Sequence, residues 1–463
     1  MERTSTHVIL TIAEYDLLIE MIKKLEKRVA ELESQVNKNS SNSSKPPSSD
    51  GYKKEIKNNR EKSDNKQGAQ TGHQGTTLKM AAHPDKIILH KVQGQCECGE
   101  KLDALEVMRI QRKQEFELPE KLIEVIEHRI EIKQCKCGKI HKAACELKGN
   151  TQYGSKYKSL MVYFNQYQFI PFDRLQEISE DCFGLSISDG VLDKSNQTCY
   201  EQLEQTEELI KEALIQSPVI NNDETGIRCE GKTQWIHSTS TRQLTHYSIQ
   251  RKRGNQAMDA IGILPHYKGK SIHDRWASYD KYSCTHGLCN SHLLRDLNYL
   301  YEELNCRWAL EMKKLLIQAN DFKKQDRLAV STIRDLEKQY AKIVQQGLKE
   351  EPQQQSREKP KRGRIPKSKS MRLLDVFALR KEQVLLFVND KEVPFDNNLA
   401  ERDLRMVKLK QKISGCFRSA NGAKVFCRMR SYISSVRKQG HHILNAIENA
   451  LMGNPIAIIV AEQ

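Results

Sequence analysis

Three acidic residues, Asp223, Asp274 and Glu401, stand where predicted secondary structure could bring them together. The apolar residues 218–220 predict a short buried strand whose end carries Asp223, and residues 269–276 predict another strand that ends in a carboxylate, Asp274. Glu401 belongs to a segment with helical spacing. If the strands are neighbours and the helix packs beside them, the three carboxylates meet.

Converging carboxylates suit phosphodiester chemistry on DNA. That chemistry uses two divalent ions about 4 Å apart, one activating the attacking hydroxyl and the other stabilising the leaving oxygen. Hard oxygen ligands favour magnesium or manganese, and without metal the carboxylates would repel one another and titrate together. Glu224 and Asp280 are less favoured rivals. Glu224 should point to the opposite face of its strand from Asp223, and Asp280 should lie in a helix past the strand end.

A predicted helix decides whether the third acid can reach the other two. On a helix, Asn397, Glu401 and Arg405 are four residues apart and share one face, so we expect Asn397 and Arg405 to support Glu401. Leu399 and Ala400 then lie elsewhere and can pack inward. The residues alone also allow a surface ion pair between Glu401 and Arg405, worth only about a few tenths of a kcal/mol.

The strand pattern predicts the sheet that positions these acids. Residues 233–239 and 244–249 are rich in aromatic or β-branched side chains, so they should form a three-stranded meander with the Asp223 strand. A helical stretch and the Asp274 strand follow, and a ribonuclease-H-like sheet begins in this order. We therefore predict a multidomain α/β protein with a mixed-sheet catalytic core formed by residues 216–300 and 390–463.

The interval between the acids predicts an insertion in this core. Asp223 and Asp274 are 51 residues apart, whereas Asp274 and Glu401 are 127 apart, which predicts a mostly helical insertion over residues 301–389. Its segment 351–370 is polar and basic, typical of a mobile loop that contacts DNA. The cations predicted to bind DNA are Lys361, Arg362, Arg364, Lys408, Lys410, Lys412 and Arg418. For those after Glu401, a solvated basic face is the alternative.

Residues 1–38 predict a coiled-coil helix and hence a homo-oligomer. Its two core positions repeat every seven residues and hold Tyr15, Ile22, Val29 and Val36 in one and Leu18, Leu25 and Leu32 in the other. Because the repeat is short, a single amphipathic helix packed on its own protein is the alternative. Residues 39–80 are rich in Ser, Asn, Lys and Pro, which predicts a disordered basic linker.

Residues 81–147 predict a zinc-ribbon-like domain. Two Cys-x-Cys-Gly turns supply four thiolates for a structural zinc ion: Cys96, Cys98, Cys135 and Cys137. Only one residue separates the cysteines of each pair, where two is usual, so His141 or Cys145 could belong to the ligand set instead. Between the pairs, residues 123–132 alternate as strands do.

Residues 148–215 predict a helical region with a helix-turn-helix. Leu175 would pack the first helix, residues 183–185 would form the turn, and Ser186 or Ser188 would cap the second helix. Such a second helix commonly enters the DNA major groove. Few basic residues lie on its exposed face, so an ordinary helical hairpin is the alternative. Residues 197–215 should form one charged helix.

Composition limits the partners. Lys and Arg number 75 against 60 Asp and Glu, and the resulting net charge of +15 favours a polyanion such as DNA. No stretch approaches about 18 consecutive apolar residues, so we expect no membrane partner and an intracellular protein. Thirteen cysteines in such a protein favour metal binding over disulfides.

These motifs closely resemble the transposases of the insertion-sequence-66 family, a branch of the DDE transposases. The resemblance covers almost the whole length, through the heptad helix, the linker, the cysteine pairs and the stretches NNDET, HDRWASYDKY, CNSHLLRDL, KPKRGR and VPFDNNLAERDLRMVKLKQKISGCFRS. It implies that Asp223, Asp274 and Glu401 are the catalytic metal ligands. Cys289 and His292 match a Cys-x-x-His motif that implies a supporting role, although such residues on a helix are otherwise often core residues.

The implied activity is hydrolysis of a phosphodiester at each end of a mobile element, followed by attack of the freed 3′-hydroxyl on target DNA. The resemblance also implies a bacterial, cytoplasmic, nucleoid-associated protein and accessory proteins encoded in the same element. A ribonuclease-H-like nuclease that cuts without joining is one alternative. A DNA-binding repressor without catalysis is another, and the presence of all three acids disfavours it.

Overall fold

The computed structural model of the protein describes residues 2–3, 8–36, 78–119, 121–147, 149–351 and 367–459. Two units are distinguished, one of residues 1–57, 148–180 and 185–463 and the other of residues 58–147 and 181–184. Most of the predicted linker and the central part of the predicted basic loop lie outside the described residues.

The N-terminal segment forms the predicted helix. Short strands β1 (Glu2–Arg3) and β2 (Val8–Ile9) pair antiparallel and precede helix α1 (Ile12–Val36). Thr11 and Glu14 cap its start, because the Thr11 N–H donates to Glu14 Oε2 (3.0 Å) and the Glu14 N–H to Thr11 Oγ1 (3.3 Å). The seven heptad side chains are 42% to 80% exposed. An apolar seam is therefore free for a partner helix, and the coiled coil itself stays a prediction.

In the second unit, each cysteine pair lies at a tight turn. Strands β3 (Ile132–Gln134) and β4 (Ile140–Lys142) form a hairpin around the second pair, and a bridge between Gln95 and Lys101 frames the first. The glycine after each pair, Gly99 or Gly138, has a positive φ (+89° and +86°) and donates its N–H to the carbonyl of the first cysteine. The strand character predicted for residues 123–132 is found only at Ile132, where β3 begins.

Helices precede the main sheet. They are α2 (Ser155–Val162), a π-helical turn (Tyr163–Tyr167), α3 (Phe172–Phe183), α4 (Asp189–Gln202) and α5 (Glu204–Gln216). The helix pair α3–α4 was predicted as a helix-turn-helix, and buried Leu175 and Leu192 pack its two members. The single helix predicted over residues 197–215 is wrong, because the chain leaves helical geometry at Leu203 (φ −91°, ψ 3°).

The main sheet has the strand order β7-β6-β5-β8-β9. Its elements are β5 (Val219–Cys229), β6 (Lys232–Ser240), β7 (Thr245–Gln250), α6 (Asn255–Ile261), β8 (Lys270–His273) and β9 (Thr285–Leu288). The first three strands form the predicted antiparallel meander, while β8 pairs parallel with β5 and β9 parallel with β8. The sheet is therefore mixed, as predicted, and β5 is its central strand.

A helical layer follows the sheet in the chain. It comprises α7 (Asn290–Leu304), α8 (Arg307–Lys324), α9 (Val330–Glu350), α10 (Lys369–Leu379), α11 (Lys381–Val384) and α12 (Leu386–Asn389). These helices share one apolar core with Ile272 and Leu288 of the sheet. Gly287 in β9 permits the close approach, because a Cβ there would lie 2.6 Å from Ile272 Cδ1 and 3.2 Å from Leu386 Cδ2. The predicted helical insertion is thus packed onto the core.

The chain returns to the sheet with α13 (Asn398–Ser414), α14 (Ala420–Lys438) and α15 (Ile443–Leu451). Helix α14 covers the edge strand β7. Its serines Ser431 and Ser435, one turn apart, accept the free N–H groups of Tyr247 (2.8 Å) and Thr245 (3.0 Å). These two N–H groups of the edge strand β7 are therefore satisfied by serine side chains instead of by a further strand.

One carboxylate joins these last helices to the meander. Asp403 on α13 accepts hydrogen bonds from Lys438 Nζ (2.8 Å), Ser240 Oγ (2.6 Å) and Thr245 Oγ1 (2.9 Å). The Asp403 and Lys438 side chains are each only 15% exposed, and burial lowers the pKa of Lys438 even though Asp403 favours its charge. Since Asp403 is two residues from Glu401, this network also fixes the helix that carries the third acid.

We predict that Asp403→Ala lowers the free energy of unfolding by about 3 kcal/mol, because Lys438 is left buried without its counter-charge. Denaturant unfolding followed by circular dichroism measures the change. Asp321→Ala removes the acid of an exposed pair with Lys324 and should cost less than about 1 kcal/mol. Equal losses in the two variants would contradict the assignment.

Candidate functional site

Asp223 lies in the middle of β5, not at the end of a short strand as the sequence predicted. The strand is longer because β6 pairs with it from Asn221 to Cys229. The parallel pairing with β8 is much shorter and ends with Asn221 beside Ile272. Asp223 therefore follows the last β5–β8 pair by two residues.

The register of β5 and β8 sets Asp223 level with Asp274. Asp223 lies two residues after Asn221, and Asp274 lies two residues after Ile272, the partner of Asn221 in β8. Side chains two residues apart along an extended chain share a face. Asp274 directly follows β8, and its Oδ1 accepts the Trp276 N–H (2.9 Å). The adjacent placement of the first two acids thus agrees with the sequence prediction.

Electrostatics link Asp223 to the other two acids. Burial raises the pKa of Asp223 well above its usual range, and the charges of Glu224, Glu401 and Asp274 raise it further. Only the hydrogen bond from the Glu224 N–H (2.9 Å) opposes them. Asp223 is therefore close enough to both other acids for their charges to act on it, although the three carboxylates are not a group within 4.8 Å of one another in the described chain.

Glu401 lies in the first turn of α13, and its side chain is 15% exposed. Its Oε1 lies 3.8 Å from His292 Nδ1, and its Oε2 lies 3.8 Å from Arg295 Nη2. Arg405 is exposed, so the surface pair with Glu401 considered from sequence is replaced by contacts to α7. Glu401 therefore lies on the face of α13 that is turned toward α7.

Asn397 anchors the start of α13 to the central strand. It is 1% exposed, accepts a hydrogen bond from Asn221 Nδ2 (2.9 Å) and donates one to the Asn222 carbonyl (2.8 Å). It occupies the position before the helix, and its own carbonyl accepts the Glu401 N–H (3.2 Å). Asn397 is thus a positioning residue for Glu401, as its predicted supporting role requires.

Cys289 and His292 lie beside Glu401. Cys289 precedes α7, donates its N–H to the His273 carbonyl (2.9 Å), and accepts the Asn397 N–H at its Sγ (3.2 Å). One ligand atom each from Cys289, His292 and Glu401 lie within 4.8 Å of one another. In the described parts of the chain, no other group of three His, Cys, Asp or Glu side chains has ligand atoms this close together.

Sequence reasoning missed Arg253. Its guanidinium bonds Glu224 through Nε (2.8 Å) and Nη2 (2.5 Å), and Nη2 lies 4.0 Å from Asp274 Oδ2. The same group lies over the rings of Trp235 (5.0 Å) and Trp276 (4.1 Å). No local motif surrounds Arg253 in the sequence, so its role depends on contacts that only folding reveals.

The two rival acids are engaged elsewhere. Glu224 is buried and, besides Arg253, accepts a hydrogen bond from Tyr279 Oη (2.6 Å). Burial raises the pKa of Glu224 while the Tyr279 and Arg253 contacts lower it. Asp280 pairs with Arg380. Each of these two acids therefore has a cationic partner.

A cleft of about 370 Å³ opens beside Asp274. Its walls carry three arginines together with acidic, imidazole and indole groups: Arg253, Arg275, Arg295, Asp274, Asp296, Trp276 and His292. Arg275 pairs with Asp296. Asp223 lines a separate, much smaller cavity with His237 and Tyr279. The cleft is therefore polar and carries cations next to the acids.

The basic residues after Glu401 differ in what they contact. Arg405, Lys412 and Arg418 are exposed. Lys408 donates to the Gly226 carbonyl (2.5 Å), and Lys410 lies over the Phe417 ring (4.0 Å). The predicted DNA contacts Lys361, Arg362 and Arg364 lie outside the described residues.

The four cysteines of the Cys-x-Cys-Gly turns are all exposed: Cys96, Cys98, Cys135 and Cys137. The Cys96 and Cys135 pKa values are lowered, first by a backbone N–H of the second cysteine in each pair, which favours the thiolate form that metals bind. They do not gather into one ligand group in the described chain. Zinc binding by them, with or without His141 or Cys145, stays a prediction.

The fold is that of a mixed α/β protein with a five-stranded mixed sheet and many helices. A family model described as the Transposase IS66 family matches residues 150–425, more than half of the chain, and includes all three acids. The chain belongs to the IS66 family of transposases. A family of unknown function (DUF6444) matches residues 5–79.

No curated protein matches the chain. None of the described helices combines the length and apolarity needed to cross a bilayer.

We predict that Asp223→Asn stabilises the protein when divalent ions are removed. The amide has no charge to bury or to repel the neighbouring carboxylates, and each unit of raised pKa corresponds to about 1.4 kcal/mol. The native chain should correspondingly gain stability as pH falls from neutral toward the ordinary carboxyl pKa, because the folded state takes up the proton first. Denaturant unfolding in a chelator measures both effects.

The matched control is Asp259→Asn. Hydrogen bonds from Lys281 and Tyr282 lower the Asp259 pKa, so this neutralisation should not stabilise the fold. A loss of stability in Asp223→Asn at neutral pH would show that the Asp223 charge is favourably paired and would contradict the prediction.

Proposed function

We propose that this protein is a DDE transposase that binds the ends of its element, cleaves DNA strands there and joins them to a target. The placement of Asp223, Asp274 and Glu401 on β5, just after β8 and on the helix tied to β5 carries the proposal. The first two come from adjacent strands in matching register, the third comes from a helix anchored to the same strand, and the charges of both others raise the pKa of Asp223.

The strand order supports a ribonuclease-H-like core. The strand pattern predicted a meander, a helix and one further strand, which is how a ribonuclease-H-like sheet begins. The sheet has this order, with β5 central, β8 parallel to it and β9 parallel to β8. The helical layer of α8 to α12 falls between the second and third acids, so it is an insertion in that core. Its apolar core is continuous with the sheet, which would hold the two parts of the catalytic domain together.

The acids fit magnesium or manganese. Their oxygens are hard ligands, and Glu401 Oε1 is a buried acceptor without a hydrogen-bond partner among the described residues. When bound, two such ions would activate the attacking oxygen and stabilise the leaving one. Asp223, Asp274 and Glu401 would hold them.

The arginines of the cleft would orient the DNA strand. Arg295 lies 3.8 Å from Glu401 Oε2 and is 29% exposed, so it can pair with a phosphate oxygen that approaches the acids. Arg253 is held between two indole rings and Glu224. Its guanidinium is thereby kept near Asp274, where it would offset negative charge without entering the metal site.

Other parts of the chain would serve recognition and assembly. The exposed seam of α1 would pair protomers into an oligomer, the cysteine turns would bind structural zinc, and the α3–α4 pair with the basic segments would contact element ends. Accessory proteins of the same element and a location at the bacterial nucleoid belong to this proposal.

The decisive test is cleavage of labelled DNA that carries the junctions flanking this gene, with magnesium or manganese present. Glu401→Gln should reduce strand cleavage by at least about 100-fold, since the amide keeps the shape and loses the charge that holds the ions. Glu212→Gln, an exposed helical glutamate, should cleave like the native chain.

Other outcomes would redirect the proposal. Metal-dependent cuts without joined products would favour a nuclease, and binding without cutting by the native chain would favour a repressor. Asp223→Ala should abolish cleavage and leave end binding intact. Loss of binding as well would contradict a purely catalytic role for this aspartate.

DNA binding should distinguish the cations of α13. We predict that Arg405→Ala or Lys412→Ala weakens binding and lowers the salt slope of the binding constant by about 1 each, because each releases one phosphate contact. Lys408→Ala should change the slope less, since Lys408 is engaged with Gly226. Titrations by fluorescence anisotropy at several salt concentrations measure the slopes, and equal slopes in all variants would contradict the assignment.

A further inference from the structure

A sulfur, a nitrogen and an oxygen meet on the α7 side of Glu401. Cys289, His292 and Glu401 can supply one ligand atom each within 4.8 Å of one another. Neither His292 Nδ1 nor Glu401 Oε1 is solvent-accessible, and neither has a hydrogen-bond partner among the described residues. Two buried polar atoms that face each other at 3.8 Å without partners are costly unless something binds between them.

The donor set differs from that of the proposed magnesium site. Thiolate and imidazole are ligands for zinc and similar borderline-soft ions, whereas magnesium takes oxygen ligands. The site is also supported by neighbours, as metal ligands usually are. The Asn397 N–H donates to Cys289 Sγ (3.2 Å) and would stabilise a thiolate there.

We infer that Cys289, His292 and Glu401 form a site for a zinc-class ion that shares Glu401 with the magnesium site. Three protein ligands leave a fourth position open to water. Binding would release the Cys289 thiol proton to solvent. A zinc-class ion would engage Glu401 Oε1 and draw this carboxylate away from the hard-metal ligands, so it should inhibit magnesium-dependent cleavage.

The rigidity of α13 makes the two uses of Glu401 compete. Asn397 and Asp403 fix the helix on either side of it, so Glu401 cannot follow both ions by moving its backbone. Ion binding by the triad does not depend on the chain being a transposase, whereas inhibition of cleavage rests on the proposed function. The two parts can therefore be tested separately.

Cobalt(II) binding to the full-length chain tests the site without any DNA. To remove other thiolates, Cys96, Cys98, Cys135 and Cys137 are changed to Ser in every protein. We expect a charge-transfer absorption between sulfur and cobalt at one equivalent, displaced by zinc, that disappears in Cys289→Ser. Cys199→Ser is the matched control, because Cys199 is also buried with a pKa raised by burial to about 12, and it should keep the absorption.

Glu401→Gln and His292→Ala guard against misfolding of Cys289→Ser. Each should weaken cobalt binding by more than about tenfold while circular dichroism stays native. An absent cobalt–sulfur absorption in the four-serine background, or one that persists in Cys289→Ser, would overturn the site. Unchanged affinity in both Glu401→Gln and His292→Ala would also overturn it.

The inhibition is tested with the junction DNA. Micromolar zinc added to the magnesium reaction should suppress cleavage by the four-serine protein, and Cys289→Ser should be several-fold less sensitive. If zinc binds as expected but cleavage is equally sensitive in both proteins, the shared use of Glu401 is wrong. If the native chain, assayed beside them, does not cleave the junction DNA, the proposed function fails while the cobalt result still decides the metal site.

Discussion

Repulsion among carboxylates is the constraint on which the centre of this protein depends. Asp223 is surrounded by the charges of Glu224, Glu401 and Asp274 in a partly buried place, which disfavours the folded state unless other groups compensate. Arg253 supplies positive charge at Glu224 and near Asp274. Arg253 therefore offsets part of the repulsion among these carboxylates in the absence of a metal ion, and the repulsion that remains acts on Asp223.

The packing of Arg253 explains why a cation this close does not occupy the site itself. Its guanidinium is held between the rings of Trp235 and Trp276 and makes two hydrogen bonds to Glu224. A guanidinium with two ring contacts and two hydrogen bonds has little freedom left to move. Glu224 thus serves as the partner that holds Arg253, which accounts for its burial better than a role as metal ligand does.

Local patterns in the sequence were sufficient for much of the fold. Alternating and β-branched residues predicted β5 to β8, and the spacing around Glu401 predicted α13, because strand and helix periods are local properties. The length of β5 was not predictable, since pairing with β6 extends it. Strand β9 was not predicted, because its four residues, Thr-His-Gly-Leu, do not form an alternating or β-branched run.

The site was predictable in its acids but not in their supports. Asp223, Asp274 and Glu401 follow from strand and helix positions together with the family resemblance. Arg253 contacts Glu224 across 29 residues, and Asn397 contacts Asn221 across 176. Such contacts depend on which helices and strands pack together. The spacing of residues within one segment does not predict that packing. The Asn397 side chain could be placed on the Glu401 face from sequence, but its attachment to β5 could not.

The anchoring of α13 also bears on how the protein would choose among ions. Glu401 offers one oxygen toward His292 and Cys289 and the other toward Arg295 and the cleft. Because the helix is tied to β5 before Glu401 and to α14 after it, ion size cannot be accommodated by large backbone shifts. Discrimination would then rest on donor chemistry, with oxygen ligands on one side of the carboxylate and sulfur and nitrogen on the other.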